Sequence, residues 1–169
     1  MRVWLALGLI LTIAACAQTH GIEGSSADGA KWSEIQASLP EFPRSENYLP
    51  LPVSATTPFA FFVDAKSVSV GKDGAVRYSL IARSADGALN VSFEGIRCSA
   101  RQFRVYALGR SDRTWSETRV SQWQPIPADA RNAQRAVLYG DYFCPALGAI
   151  RTTEDALRAL QRGPGSPAY

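Results

Sequence analysis

With 169 residues, a net charge of +3, 46% hydrophobic residues and 20% charged residues, the chain has the composition of a globular protein. These values exclude wholesale disorder and a polybasic arm, and the length allows one domain with a single core. Of the 18 basic residues, 15 are Arg, whose forked guanidinium groups favour carboxylate and phosphate partners. A high genomic GC content is the alternative explanation of this enrichment.

The first 15 residues predict a lipoprotein signal peptide. A positive start at Arg2 precedes an apolar run that is too short to span a bilayer. Ile13–Cys16 has the form of a bacterial lipobox, in which the thiol of Cys16 receives a diacylglyceryl group before cleavage. Cleavage after Ala17 by ordinary signal peptidase is the alternative, and it would release a soluble periplasmic protein.

Acylation of Cys16 would attach the protein to the membrane, since each buried methylene contributes about 0.8 kcal/mol. The residue after the cysteine is Ala17 and not Asp. By resemblance to bacterial lipoproteins, this implies an outer-membrane protein that faces the periplasm. Residues 16–30 are predicted to be a flexible tether, residues 31–163 a single domain and residues 164–169 a disordered tail.

Two elements are predicted before the sheet. Trp32, Ile35 and Leu39 share the spacing of one helix face, which predicts a short helix over residues 31–39 that Pro40 ends. Residues 41–58 contain four prolines, so this segment is predicted to be extended and to lie outside the sheet.

Alternating apolar residues then predict an antiparallel meander of four or five strands. The strands are placed at residues 59–70, 75–84, 88–98 and 102–108, with a less regular fifth strand at 115–123. Gly95 interrupts the alternation of the third strand and predicts a bulge there. Helices are predicted over residues 128–138 and 152–162, the latter capped by Thr152 or Thr153. The fold class is therefore α+β, with a short N-terminal helix and two C-terminal helices.

The inventory of histidine and cysteine restricts the chemistry. His20 is the one histidine and lies in the predicted tether, which excludes Ser-His-Asp and Cys-His triads and His-ligated zinc. Cys98 and Cys144 form an even pair in an oxidising compartment, so a disulfide is predicted. A reactive or metal-binding thiol is the alternative, although the sequence has no CxxC motif. No cofactor is predicted.

The strands carry an excess of arginine. Outward positions for Arg77, Arg83 and Arg104, with Tyr106 and Trp115 nearby, predict a cationic stripe suited to an anionic glycan, a lipid or an acidic protein. Nucleic acid is excluded on grounds of compartment. The alternative is a solvated sheet face whose charges prevent pairing with other sheets.

Carboxylates could support glycan hydrolysis, which needs two acids roughly 5 to 10 Å apart. Nothing in the spacing selects a pair among the five candidates, which are Asp64, Glu94, Asp112, Glu117 and Asp141.

Three runs resemble the cryptic neisserial protein family of small, uncharacterised bacterial lipoproteins: Ser79–Cys98, Phe103–Gly109 and Asp141–Pro145. The resemblance implies an envelope lipoprotein domain with both cysteines inside their matching motifs, and it implies no catalytic residue. We therefore expect a non-enzymatic envelope binding or interaction module. A small carboxylate-dependent hydrolase of cell-wall glycan is the alternative.

Overall fold

A computed structural model describes residues 32–127, 133–145 and 149–164. The predicted signal peptide, the lipidation site Cys16, the tether and the last five residues of the predicted tail lie outside these ranges, as do residues 128–132 of one predicted helix. Within the described ranges, no helix has the length and apolarity needed to cross a membrane.

In the described part of the chain, eight antiparallel strands form one sheet. They are β1 (Tyr48–Leu51), β2 (Phe59–Asp64), β3 (Ser69–Val70), β4 (Ala75–Ser84), β5 (Leu89–Arg97), β6 (Gln102–Gly109), β7 (Trp115–Glu117) and β8 (Gln124–Pro125). The order across the sheet is β1-β2-β4-β5-β6-β7, with β3 also beside β4 and β8 also beside β6. The antiparallel sheet is confirmed, but it has more strands than the four or five predicted.

One additional strand comes from the proline-rich segment, which was predicted to lie outside the sheet. In β1, Pro50 is paired with Phe62 of β2. This strand is at the edge of the sheet, where a proline that lacks an N–H group can face away from the ladder. Another comes from the predicted strand 59–70, which a 3-10 turn (Ala65–Ser67) divides into β2 and β3.

The predicted N-terminal helix is absent from the described residues 32–39. Residues 32–43, which we call the N-terminal strap, instead cross one face of the sheet without helical structure. The amide of Ile35 donates to Asp73 Oδ2 (2.9 Å), and its carbonyl accepts from Arg77 (2.8 Å). Sheet side chains thus bind backbone groups that a helix would pair internally, and Ile35 itself is 46% exposed.

Because the strap covers one face and helices cover the other, β4 is buried on both sides. Val76 and Tyr78 face the core beneath the helices, whereas Arg77 faces the strap. The predicted outward position of Arg77 is therefore wrong: the residue is only 5% exposed.

The predicted bulge at Gly95 is also wrong, because β5 pairs with β4 without interruption from Leu89 to Arg97. The register shift lies on the other side of β5. Phe93 opposes Ala107 and Glu94 opposes Val105, so Tyr106 of β6 is the extra residue. The change of apolar phase in β5 has a different cause, which is that both faces of the strand are covered.

The helix layer consists of α1 (Ala133–Val137), a π-helical continuation (Leu138–Phe143) and α2 (Thr153–Arg162). Thr152 caps α2 by accepting a hydrogen bond from the Asp155 amide (3.1 Å), as predicted. The disulfide between Cys98 and Cys144 joins the turn after β5 to the end of the π-helix, with a Cα–Cα distance of 5.5 Å. The predicted pairing is present.

Candidate functional site

The carboxylate of Glu34, on the strap, lies among hydrogen-bond donors from the sheet. Tyr106 donates to Oε1 (2.7 Å), Trp123 donates to Oε2 (3.1 Å), and Arg104 forms an ion pair with the same carboxylate. We call these four residues the Glu34 cluster. The side chain of Glu34 is 18% exposed. Its carboxylate therefore occupies a mostly buried anion site formed by two strand residues and one loop residue.

Arg77 lies beside this cluster but binds a different carboxylate, that of Asp73. Its guanidinium binds Asp73 at 2.6 Å and lies 3.8 Å from Glu34. Burial works to raise the pKa of Asp73, but hydrogen bonds from Arg77 and from the amides of Ile35 and Ala75 outweigh it and hold that pKa below its usual value. Arg77 therefore fixes the strap to the sheet and is not available to an external anion.

The remaining residues of the predicted stripe are dispersed. Trp115 donates to the carbonyl of Pro40 (2.9 Å) and packs against Phe42. Arg83 is exposed near the end of β4, where its guanidinium lies 4.8 Å from the ring centroid of Phe62. The structure thus brings Arg104 and Tyr106 together, but it places Arg83 elsewhere and uses Trp115 to hold the strap.

A polar cleft of about 260 Å³, which we call the Arg104 cleft, opens beside the Glu34 cluster. It is lined by Gln36, Ala37, Leu39, Arg104, Tyr106, Glu117, Thr118 and Ser121. Burial, followed by the hydrogen bond to Glu34, raises the pKa of Tyr106 well above its usual value, so its hydroxyl remains a donor. The side chain of Arg104 is 26% exposed and can still meet a ligand.

A second cleft, of about 600 Å³, lies where the strap meets β1 and β2. We call it the Asp64 cleft; its lining comprises Pro40, Glu41, Arg44, Glu46, Asn47, Asp64 and Lys66. Asp64 is 2% exposed, and its Oδ1 has no hydrogen-bond partner within the described part of the chain. Burial raises the pKa of Asp64, the negative charge of Glu46 adds to the rise, and the polar groups of the turn after β2 oppose it.

The other candidate acids do not form a catalytic pair. Glu94 is fully buried in an ion pair with Arg135. Asp112 accepts from the hydroxyl (2.7 Å) and amide (3.1 Å) of Thr114, whose hydrogen bonds lower its pKa. Asp141 is exposed on the π-helix, and Glu117 lines the Arg104 cleft. Among the described residues, no group of three or more His, Cys, Asp or Glu side chains could hold a metal ion.

Neither Glu34 nor Asp73 is among the site residues predicted from the sequence, and Asp64 is predicted only as one of five candidate acids. The pair Asp73 and Arg77 has a signal that could have been used, because the two residues are four apart across a tight turn. Glu34 has none, since its partners Arg104, Tyr106 and Trp123 lie 70 to 89 residues away along the chain.

Comparison with known proteins identifies one family. A sequence model described as the CNP1-like family matches residues 27–161. The chain is 30% identical over 116 residues to "Cryptic neisserial protein 1" of Neisseria gonorrhoeae, a match that covers 61% of this chain and 56% of that relative. The chain therefore aligns with little more than half the length of the relative. No solved structure matches significantly.

Proposed function

Because the chain belongs to the CNP1-like family, whose members are uncharacterised, we propose its function from its own residues: a non-enzymatic envelope lipoprotein that binds an anionic glycan at the Arg104 cleft. The lipid on Cys16 would hold the protein at the outer membrane, facing the periplasm. Of the residues of the predicted cationic stripe, Arg104 and Tyr106 line this cleft, whereas Arg77 is buried and Arg83 is exposed elsewhere on the sheet.

The composition of the Arg104 cleft is the observation that supports this function. Gln36 brings an amide that can donate and accept hydrogen bonds with sugar hydroxyls. Thr118 donates its own hydroxyl to the Val105 carbonyl (2.9 Å), so it can accept a hydrogen bond from a sugar. Arg104 binds Ser121 and Glu34 through two of its nitrogens, and its remaining terminal nitrogen can donate to a carboxylate or phosphate. The volume of about 260 Å³ is just below the usual range for small-molecule sites, about 300–1,000 Å³, and suits one sugar or a terminal anionic group.

The Glu34 cluster supports the same chemistry. Arg104, Tyr106 and Trp123 already accommodate a carboxylate, and the cleft begins beside it. An anionic sugar that enters the cleft would meet the part of the Arg104 guanidinium that Glu34 and Ser121 leave exposed.

The experiment measures sedimentation of the mature protein, in detergent, with peptidoglycan sacculi and its binding to lipopolysaccharide. Ala37→Trp fills the cleft and should weaken binding about tenfold or more, whereas Arg83→Ser removes an exposed arginine outside it and should leave binding unchanged. Binding that survives Ala37→Trp, or no binding to either component, would refute the proposal.

The second candidate function is a small carboxylate-dependent hydrolase of cell-wall glycan, favoured by the presence of Asp64 and Glu46 in one cleft. A raised pKa suits a general acid, and Glu46 would be the second acid that glycoside hydrolysis needs. Release of soluble fragments from sacculi by the wild type, and none by Asp64→Asn, would establish this alternative.

A further inference from the structure

We propose that the Asp64 cleft is a separate binding site for an amino-acid-type zwitterion, whose ammonium group pairs with Asp64 and Glu46 and whose carboxylate pairs with Arg44 and Lys66. The inference concerns a different part of the sheet from the Arg104 cleft and does not depend on the function proposed for that cleft. Asp64 ends β2, whereas Arg104 is on β6, three positions away in the strand order.

The first step is the unpaired Oδ1 atom of Asp64. Buried polar atoms in folded proteins nearly always have a hydrogen-bond partner, because a buried atom without one has lost its hydrogen bonds to water and gained nothing in return. Asp64 Oδ1 has none within the described residues, although the side chain borders a cleft of about 600 Å³. A ligand that donates hydrogen bonds would supply the missing partner.

The second step is the distribution of charge around the cleft. Glu41 and Glu46 add two carboxylates near Asp64, while Arg44 and Lys66 add two cations to the same lining. Arg44 and Lys66 form no ion pair with any described acid, so both signs of charge remain available to a ligand.

The third step is the kind of cation. The described residues include no group of three or more side chains that could hold a metal ion, so the carboxylates lack the ligand number of a Ca²⁺ or Zn²⁺ site. An ammonium group needs only acceptors for its three N–H donors. A molecule that combines an ammonium with a carboxylate meets both halves of the cleft, and about 600 Å³ admits an amino acid or a dipeptide.

The experiment titrates the ¹⁵N-labelled mature protein with three matched probes and follows its amide resonances. L-alanine has both charges, L-alaninamide lacks the carboxylate, and N-acetyl-L-alanine lacks the ammonium. We expect saturable shifts at Asn47, Asp64 and Lys66 with L-alanine, weaker binding of L-alaninamide and no saturable shifts with N-acetyl-L-alanine.

Two variants test the role of Asp64. Asp64→Asn keeps the shape of the side chain and should weaken L-alanine binding at least about tenfold. Asp86→Asn changes an exposed acid in the turn between β4 and β5 and should leave the affinity unchanged. Thermal unfolding of both variants establishes that they fold.

Three results would overturn the inference: no saturable shift with L-alanine, equal binding of N-acetyl-L-alanine, or an unchanged affinity in Asp64→Asn. Equal binding of the acetylated probe would identify an anion site at Arg44 and Lys66 instead. The glycan sedimentation experiment is read independently, since Ala37→Trp leaves the lining of the Asp64 cleft unaltered.

Discussion

Arg135 of α1 and Glu94 of β5 form a bidentate ion pair, with both hydrogen bonds at 2.8 Å, between the helix layer and the sheet. Glu94 also accepts from Ser92 (2.7 Å), and Arg135 lies 4.1 Å from the ring centroid of Phe103. Such a pair contributes little net stability relative to apolar residues of similar volume, and here it joins α1 to β5.

Removing one partner of this pair should be costly. In Arg135→Met, Glu94 would be left buried without its cation, and we expect a loss of about 3–5 kcal/mol in the free energy of unfolding. The double variant Glu94→Gln with Arg135→Met should recover a large part of that loss. Urea unfolding of the wild type, both single variants and the double variant measures the coupling, and a cost below about 1 kcal/mol for Arg135→Met would contradict the prediction.

The Glu34 cluster should hold the strap in place. Glu34→Gln removes the charge that Arg104, Tyr106 and Trp123 share, and we expect a loss of about 1–3 kcal/mol. Hydrogen exchange should accelerate at the Ile35 amide more than in the central strands. Glu117→Gln changes an exposed acid and is the matched control; similar exchange rates in both variants would argue against the cluster.

Gly95 should resist substitution because of the close approach of Tyr106. A Cβ added at this position would lie 2.9 Å from the Tyr106 hydroxyl and 3.2 Å from Trp123, so Gly95→Ala should cost about 1–3 kcal/mol. At Gly140 a Cβ would meet nothing within 4 Å, and Gly140→Ala should be neutral or slightly stabilising. Chemical unfolding compares the two, and equal stability of both variants would show that β6 can yield.

Asp64 should make stability depend on pH in an unusual direction for an acid. Its pKa is raised in the folded state, first by burial and further by Glu46, so the ionised form opposes folding. This penalty is present above the folded pKa and diminishes as pH falls toward the unfolded pKa of about 3.9. Asp64→Asn should therefore raise the melting temperature at pH 7, and the difference from wild type should shrink below about pH 4. A lower melting temperature for the variant at pH 7 would contradict the assignment.

The disulfide should contribute substantially to stability. Cys98 and Cys144 are 46 residues apart, and closing a loop of that length is worth about 4 kcal/mol in the chain-entropy description. The double variant Cys98→Ala with Cys144→Ala should lower the free energy of unfolding by roughly that amount. Reduction of the disulfide in the wild type should give a similar loss. An unchanged denaturation midpoint after either treatment would refute this contribution.

The sequence predicted what depends on local pattern. Period-2 alternation located β4, β5 and β6, the polar cap located Thr152 at the start of α2, and the cysteine count paired Cys98 with Cys144. Arg77 was placed in solvent because alternation alone implies one wet face, and nothing local indicated that a strap 42 residues earlier would cover that face.

The two clefts also depend on contacts between residues that are far apart in the chain. The Trp32, Ile35 and Leu39 spacing matches a helix face, yet the donors and acceptors that keep this segment extended, Asp73 and Arg77, belong to a distant hairpin. The burial of Asp64 Oδ1 without a partner likewise follows from how β1, β2 and the strap enclose it, and the spacing of acids in the sequence does not indicate it.

The position of the strap has a mechanical consequence. Trp32, its first residue, donates to the Asp73 carbonyl (2.8 Å), lies 4.3 Å from the guanidinium carbon of Arg97 and meets the ring of Trp123 at a centroid distance of 5.6 Å. Tension applied to the chain ahead of Trp32 would load these contacts before any strand pairing. Under force, the protein would therefore lose the strap first and uncover Arg104 and Tyr106 while the disulfide-linked sheet stays folded.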